Sequence, residues 1–314
     1  MHIHIPDSTP VRFFQSLTGE RIYVLNIDNG RVRLSEDPDV HSTFKTKYGK
    51  SIYDIAIELY HRQSTTKGGF SNVFVYEDGE KYIIKRLEMR QYGNPHKYRE
   101  DAYNELRNLA QFYGKPYVNQ ILGAEIYSNF GILVMEYVQG KTLYDWLQQT
   151  PLPDISLREQ RLEEIIDAVQ KIHKQGFAHL DINPRNIWIP DAKSRKAYLL
   201  DLGSMAPLGQ ERLSPTRTEG YSPGPFSPIP IHISSTNINM YSLDEVRKNI
   251  LEPERLVKRR EEQKAKVEAQ KKAAAALDAR RIAMASNACG GAGCARQSRH
   301  KRQLRKRRTY RKRK

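Results

Sequence analysis

The sequence predicts an α+β chain in two parts, a β-rich first half and a helical second half. Three observations carry this. Short apolar runs bounded by turn signals crowd the first half, at residues 72–76, 81–87, 120–127 and 131–137. Residues 156–175 then place Leu162, Ile165, Ile166, Val169 and Ile172 on one helical face. A polar loop, His179-Leu180-Asp181-Ile182-Asn183-Pro184-Arg185-Asn186, follows that helix and leads into more strands.

The elements follow in order. Residues 11–14, 21–27 and 32–34 read as short strands, with Asn29-Gly30 as a hairpin turn. Residues 52–60 fit a helix or a strand, and residues 1–60 as a whole read as an N-terminal extension. The turn Lys67-Gly68-Gly69-Phe70-Ser71 leads into the strand 72–76, and Asp78-Gly79 turns it into 81–87. Residues 98–112 read as a helix, with Ala102, Leu106, Leu109 and Ala110 on one face. After 131–137, Gln139-Gly140 makes a turn into a short helix at 143–148. Gly176 stands where the long helix should be capped. Strands follow at 187–189 and 197–200. Residues 204–236, rich in Pro, Ser and Gly, read as loop, and 242–251 as a helix. Residues 254–285 form a charged, Ala-rich helix candidate without a wide apolar face, and 286–314 carry no packing pattern and are expected to be disordered.

Charge divides the chain. The net charge is +16 over 314 residues, yet residues 1–251 hold 30 basic and 30 acidic side chains. Residues 252–314 hold 22 basic and 6 acidic ones, so the whole imbalance is C-terminal. Two cysteines, Cys289 and Cys294, cannot build a disulfide framework and number too few for a zinc site. They fit a reducing, intracellular setting as linker residues. No apolar run is long enough to span a membrane, and the N-terminus lacks a secretory h-region.

The chemistry gathers in the polar loop and just beyond it. Asp181 and Asn186 lie close enough to share one tight loop, and Asp201 ends the following strand in Leu199-Leu200-Asp201-Leu202-Gly203. Two carboxylates and an amide in one cleft can hold a divalent cation and orient a hydroxyl toward phosphate.

The order and spacing of these segments resemble the eukaryotic-type protein kinase superfamily over about residues 65–245. The resemblance implies a bilobal fold, with a β-rich N-lobe at 61–137 and a reduced helical C-lobe at 138–251. A charged helix at 252–285 and a basic tail at 286–314 would follow. It also implies ATP and Mg2+ (or Mn2+). Residues 67–73 resemble the phosphate loop, where the backbone of Gly68 and Gly69 would approach phosphates and Val73 would cover the base. Lys85 resembles the lysine that holds the α and β phosphates, and Glu105 its helix partner. Met135-Glu136-Tyr137-Val138 resembles the connector, with backbone groups of Glu136 and Val138 facing adenine. Asp181 takes the catalytic role, and Asn186 and Asp201 ligate metal. His179 is expected to be structural.

Several positions depart from the family pattern. Leu180 stands where an arginine commonly meets an activating phosphate, and Asn183 stands where serine/threonine kinases place a lysine. Arg185 is the nearby cation, and geometry decides whether it replaces that charge. Leu202 replaces a phenylalanine, and Asn239 an aspartate. The segment Thr218-Glu219-Gly220-Tyr221-Ser222-Pro223 resembles the end of an activation segment without its closing glutamate.

The expected function is therefore a serine/threonine protein kinase acting on a protein substrate. A kinase-like small-molecule phosphotransferase and a catalytically weak scaffold are the alternatives. Residues 296–314 hold 12 Lys/Arg and no acid, a density that suits nucleic acid, a nuclear address or another acidic partner. Such tails are similar to those of compact kinases of large DNA viruses, which adds the virion and host cell to the expected locations.

Overall fold

The computed structural model describes residues 20–59, 66–67, 71–89, 93–211, 221–222 and 233–288. The chain divides into two compact units, Met1–Pro253 and Glu254–Lys314. The first is α+β, with a sheet-built N-lobe and a helical C-lobe.

The N-lobe is a seven-stranded sheet in the order β2-β1-β6-β7-β5-β4-β3. Its strands are β1 (Arg21–Asp28), β2 (Arg31–Ser35), β3 (Thr66–Lys67), β4 (Ser71–Glu77), β5 (Lys81–Glu88), β6 (Ile121–Tyr127) and β7 (Phe130–Glu136). Every pairing is antiparallel. Residues 20–59 were expected as an extension, but they supply two of these strands. They also supply the helix α1, Ile52–Leu59, which settles the open reading at 52–60. Ile52, Ile55, Ala56 and Leu59 pack on Phe74, Ile84, Ile132 and Val134, so this segment covers one face of the sheet. A Cβ at Gly123 would meet Phe44 Cβ at 2.8 Å, so the covering segment sits against bare backbone there.

Side chains alternate across the pleat. Val73, Lys85, Leu133, Ala124 and Leu25 are register partners in one row and therefore project from the opposite face. That face receives α2, Pro95–Gln111. Asn94 caps α2 by accepting the His96 N–H at 2.9 Å, and Pro95 occupies the first turn, where a missing N–H costs nothing. Tyr98, Ala102, Leu106 and Leu109 form its buried stripe, and Glu105 and Asn108 share that buried face.

In the C-lobe, the short α3 (Leu143–Trp146) precedes the long α4 (Ile155–Lys174). Gly176 follows α4 with φ +80°, as its capping position requires. The small strands β8 (Gly140–Thr142), β9 (Phe177–Ala178), β10 (Ile187–Pro190), β11 (Tyr198–Leu199) and β12 (Ala206–Pro207) hold the polar loop and its neighbours in place. Helix α5, Thr236–Leu251, begins earlier than the apolar pattern indicated. In the second unit, α6 runs Glu254–Ala288. Among the described residues no helix is long and apolar enough to cross a membrane. The expected strand at 11–14, both cysteines and residues 296–314 lie outside the described residues.

Two substitutions test this packing. A Cβ at Gly140 would run into the Ile189 carbonyl oxygen and lie 2.7 Å from the Trp188 indole nitrogen. Gly140→Ala should therefore cost about 1–3 kcal/mol, read as a lowered thermal midpoint. Asn108→Ala removes two hydrogen bonds to the chain around Asp201 and should lower the midpoint by roughly 3–8 °C.

Candidate active site

Three elements converge on one ammonium. Lys85 on β5 lies 2.5 Å from Glu105 Oε1 on α2 and 2.9 Å from Asp201 Oδ1. Lys85 and Glu105 are buried, whereas the Asp201 side chain is 47% exposed. Burial alone would push the Lys85 ammonium down; the carboxylates of Asp201 and Glu105 outweigh it and hold it above the usual lysine value. Burial raises the Glu105 carboxyl despite the pull of Lys85. Asp201 is held below the usual carboxylate range, chiefly by Lys85.

Asp201 sits in the left-handed region, at φ 55° and ψ 74°, just before the 3-10 turn Leu202–Ser204. Asn108 ties that turn to α2, because its Nδ2 donates to the carbonyls of Leu202 and Met205, each at 2.8 Å. Sequence reasoning missed Asn108. The available signal was a polar residue three positions after Glu105, within the apolar stripe.

The polar loop is organised around Asp181. Asn186 Nδ2 donates to Asp181 Oδ2 at 2.8 Å and to its backbone carbonyl at 3.0 Å. Asn183 Nδ2 donates to Asp181 Oδ1 at 3.2 Å, while Asn183 Oδ1 accepts the Arg185 N–H and so caps the turn Pro184–Asn186. Leu180 adopts φ 67° and donates its N–H to Asn239 Oδ1 at 2.8 Å. His179 is fully buried and bonds the Leu200 carbonyl through Nε2 at 2.8 Å. A carbonyl only accepts, so Nε2 carries the proton and Nδ1 is left without a partner. Burial pushes the His179 pKa down, which keeps the ring neutral and structural.

The Arg185 guanidinium lies 4.1 Å over the Tyr144 ring. The Glu136 N–H donates to the Gln120 carbonyl at 2.9 Å. Glu136 also pairs with Arg195 at 2.9 Å, another contact that sequence reasoning missed. A cavity of about 580 Å³ lies behind this connector, lined by Tyr117, Asn119, Glu136, Val138, Arg195 and Tyr198 among others. None of Lys85, Asp181 or Asp201 lines it, so it is separate from the cleft. Val73 lies beside Lys85 in register, and Gly68 and Gly69 lie outside the described residues.

A family model described as the protein kinase domain matches residues 62–287, which extends past the expected end of the domain at 251. The chain is 28% identical over 205 residues to the probable serine/threonine-protein kinase pkgA of Dictyostelium discoideum, covering 63% of this chain and 14% of that protein. It is 22% identical over 225 residues to the probable serine/threonine-protein kinase 2 of Plasmodium falciparum, covering 70% and 42%. It is 33% identical over 100 residues to a probable cAMP-dependent protein kinase catalytic subunit of Encephalitozoon cuniculi, covering 32% and 30%. The chain thus spans less than half the length of each of these relatives. With the family model matched over most of the sequence and a sheet-built lobe joined to a helical one, the chain belongs to the protein kinase family.

Proposed function

We propose that the chain is an active kinase that transfers the γ-phosphoryl group of ATP to a serine or threonine hydroxyl of a protein. The observation that carries this reading is the Lys85 ammonium held between Glu105 and Asp201, at 2.5 and 2.9 Å. The serine/threonine names of the relatives support the type.

The residues fit a divalent cation. Asp201 and Asn186 offer hard oxygen donors of the kind Mg2+ and Mn2+ prefer. Among the described residues no group of three His, Cys, Asp or Glu could hold a metal. Two protein ligands suit a small cation that completes its shell with water and phosphate oxygens. Bound there, it would neutralise charge on the phosphates.

The chain's own residues then divide the work. Lys85 would grip the α and β phosphates, and Glu105 would keep its ammonium fixed. The Glu136 carbonyl and the Val138 backbone would meet the adenine edge, Val73 would cover the base, and the Gly68-Gly69 backbone would approach the phosphates. Asp181 would orient the acceptor hydroxyl and receive its proton on a carboxylate oxygen. Both of those oxygens are already aligned by amides, Asn183 on Oδ1 and Asn186 on Oδ2. Asn183 supplies direction but no positive charge, so transfer should be slower than in a kinase with lysine there. That same lack of charge, with Arg185 engaged by Tyr144, favours a small-molecule hydroxyl as the second reading.

Labelled-ATP assays separate these readings. Asp181→Asn and Lys85→Met should each lower kcat for peptide phosphorylation by about 10²-fold or more, the scale of a lost proton acceptor or phosphate clamp. Asn183→Lys should raise it. Mg2+-dependent nucleotide binding without transfer to protein, and with transfer to small hydroxylated molecules, would favour the second reading.

For residues 296–314 we infer a polyanionic partner, nucleic acid first, with nuclear entry as the expected consequence. The support is compositional, 12 basic residues without an acid. Binding to duplex DNA should weaken steeply with salt, and removal of 296–314 should flatten the log K against log[salt] slope by several units.

A further inference from the structure

Asn239 on α5 is wholly buried and joins two groups. Its Oδ1 accepts the Leu180 backbone N–H at 2.8 Å, and its Nδ2 lies 2.8 Å from His173 Nε2 on α4. The first contact fixes the amide's orientation, because a backbone N–H can only donate. Nδ2 therefore donates toward His173, and Nε2 must present a lone pair. Only the neutral ring with its proton on Nδ1 does this. A protonated ring would set N–H against N–H. Turning the amide over would relieve His173 but would set the NH2 group against the Leu180 N–H. Leu180 has φ 67°, a conformation unfavourable for leucine, and it adjoins Asp181.

We propose that His173 is a proton-sensitive positioning residue: its neutral ring orients Asn239 to hold the Leu180 turn, and with it Asp181, and its protonation releases them. The consequence for catalysis rests on the phosphotransferase reading; the switch itself does not. The sensitivity comes from the amide. An aspartate at 239 would accept both N–H groups and would favour the charged ring.

Among the described residues the surroundings add no competing charge. Burial is the one cause acting on His173, and it pushes the pKa below the ordinary histidine value. On its own helix Asp167 and Lys171 pair with each other, at 2.6 Å. On the facing helix Asp244 and Glu245 both pair with Lys248. Asp181 and Asp201 act on His179. With the folded value depressed, the held loop is fully present above about pH 6.5 and is lost as pH falls through the folded His173 value.

The test uses the full chain between about pH 5 and 8, within the histidine range, with two readouts: the NMR shift of the Leu180 amide beside the His173 ring titration, and phosphoryl transfer to a peptide. The Leu180 amide should follow the His173 midpoint, and transfer should fall by about tenfold per pH unit below it, the slope of one proton. Asn239→Asp should raise the His173 midpoint, uncouple Leu180 from it and move the acid limb of transfer to lower pH. His173→Gln, whose side-chain oxygen accepts from Nδ2 without titrating, should abolish the Leu180 response. A Leu180 amide indifferent to the His173 titration, or one that still responds in His173→Gln, overturns the proposal. A Leu180 amide that follows His173 in a chain with no transfer at any pH supports the switch and refutes the phosphotransferase reading.

Discussion

Everything in the cleft depends on one buried cation. The Lys85 ammonium has left water, and its desolvation is offset only because two carboxylates reach it. Each comes from a different element: Glu105 from a helix laid across the sheet, and Asp201 from a left-handed turn in the lower lobe. Removing either partner would leave charge imperfectly compensated in a low-dielectric site. The ion pair therefore acts as a condition on the fold: sheet, helix and loop must arrive together.

The second constraint is backbone strain held by neutral amides. Leu180 and Asp201 both adopt positive φ. Asn239 holds Leu180 from below, and Asn108 holds the turn after Asp201 from the helix side. Asn183 and Asn186 then aim the Asp181 carboxylate. An amide has one donating end and one accepting end, so each of these contacts dictates how its neighbours are oriented and protonated. A carboxylate or an ammonium at the same position would tolerate more arrangements. The departures at 183 and 239 thus replace charge with direction.

Much of this was legible in the sequence because it is local. The apolar stripe of α4, the Asp181–Asn186 spacing and the strand before Asp201 are short-range patterns, and the pairing of Lys85 with Glu105 followed from the family resemblance. What escaped depends on contacts between distant segments. Residues 20–59 look like an appendage because β6, the partner of β1, lies about a hundred positions downstream. Asn108 is one polar residue within an amphipathic helix, and its role appears only when the carbonyls of Leu202 and Met205 are beside it. Arg185, whose role was left to geometry, stacks on Tyr144, a partner some forty residues earlier that no spacing rule would select.

The two carboxylates on Lys85 are not equivalent, and exposure tells them apart. The Glu105 side chain is 8% exposed, whereas that of Asp201 is 47% exposed. Glu105 has no route to another partner without carrying its charge through apolar packing. Asp201 faces solvent and can exchange part of its hold on the ammonium for a hydrated cation at little desolvation cost. Its lowered pKa keeps it ionised across the neutral range, so it remains available as an anion throughout. One carboxylate therefore fixes the lysine while the other, exposed, is the one that would meet a cation under the proposed function. That asymmetry follows from where the sheet, the helix and the loop place their side chains, and under the proposed function it would let a single ammonium serve both the fold and the phosphate.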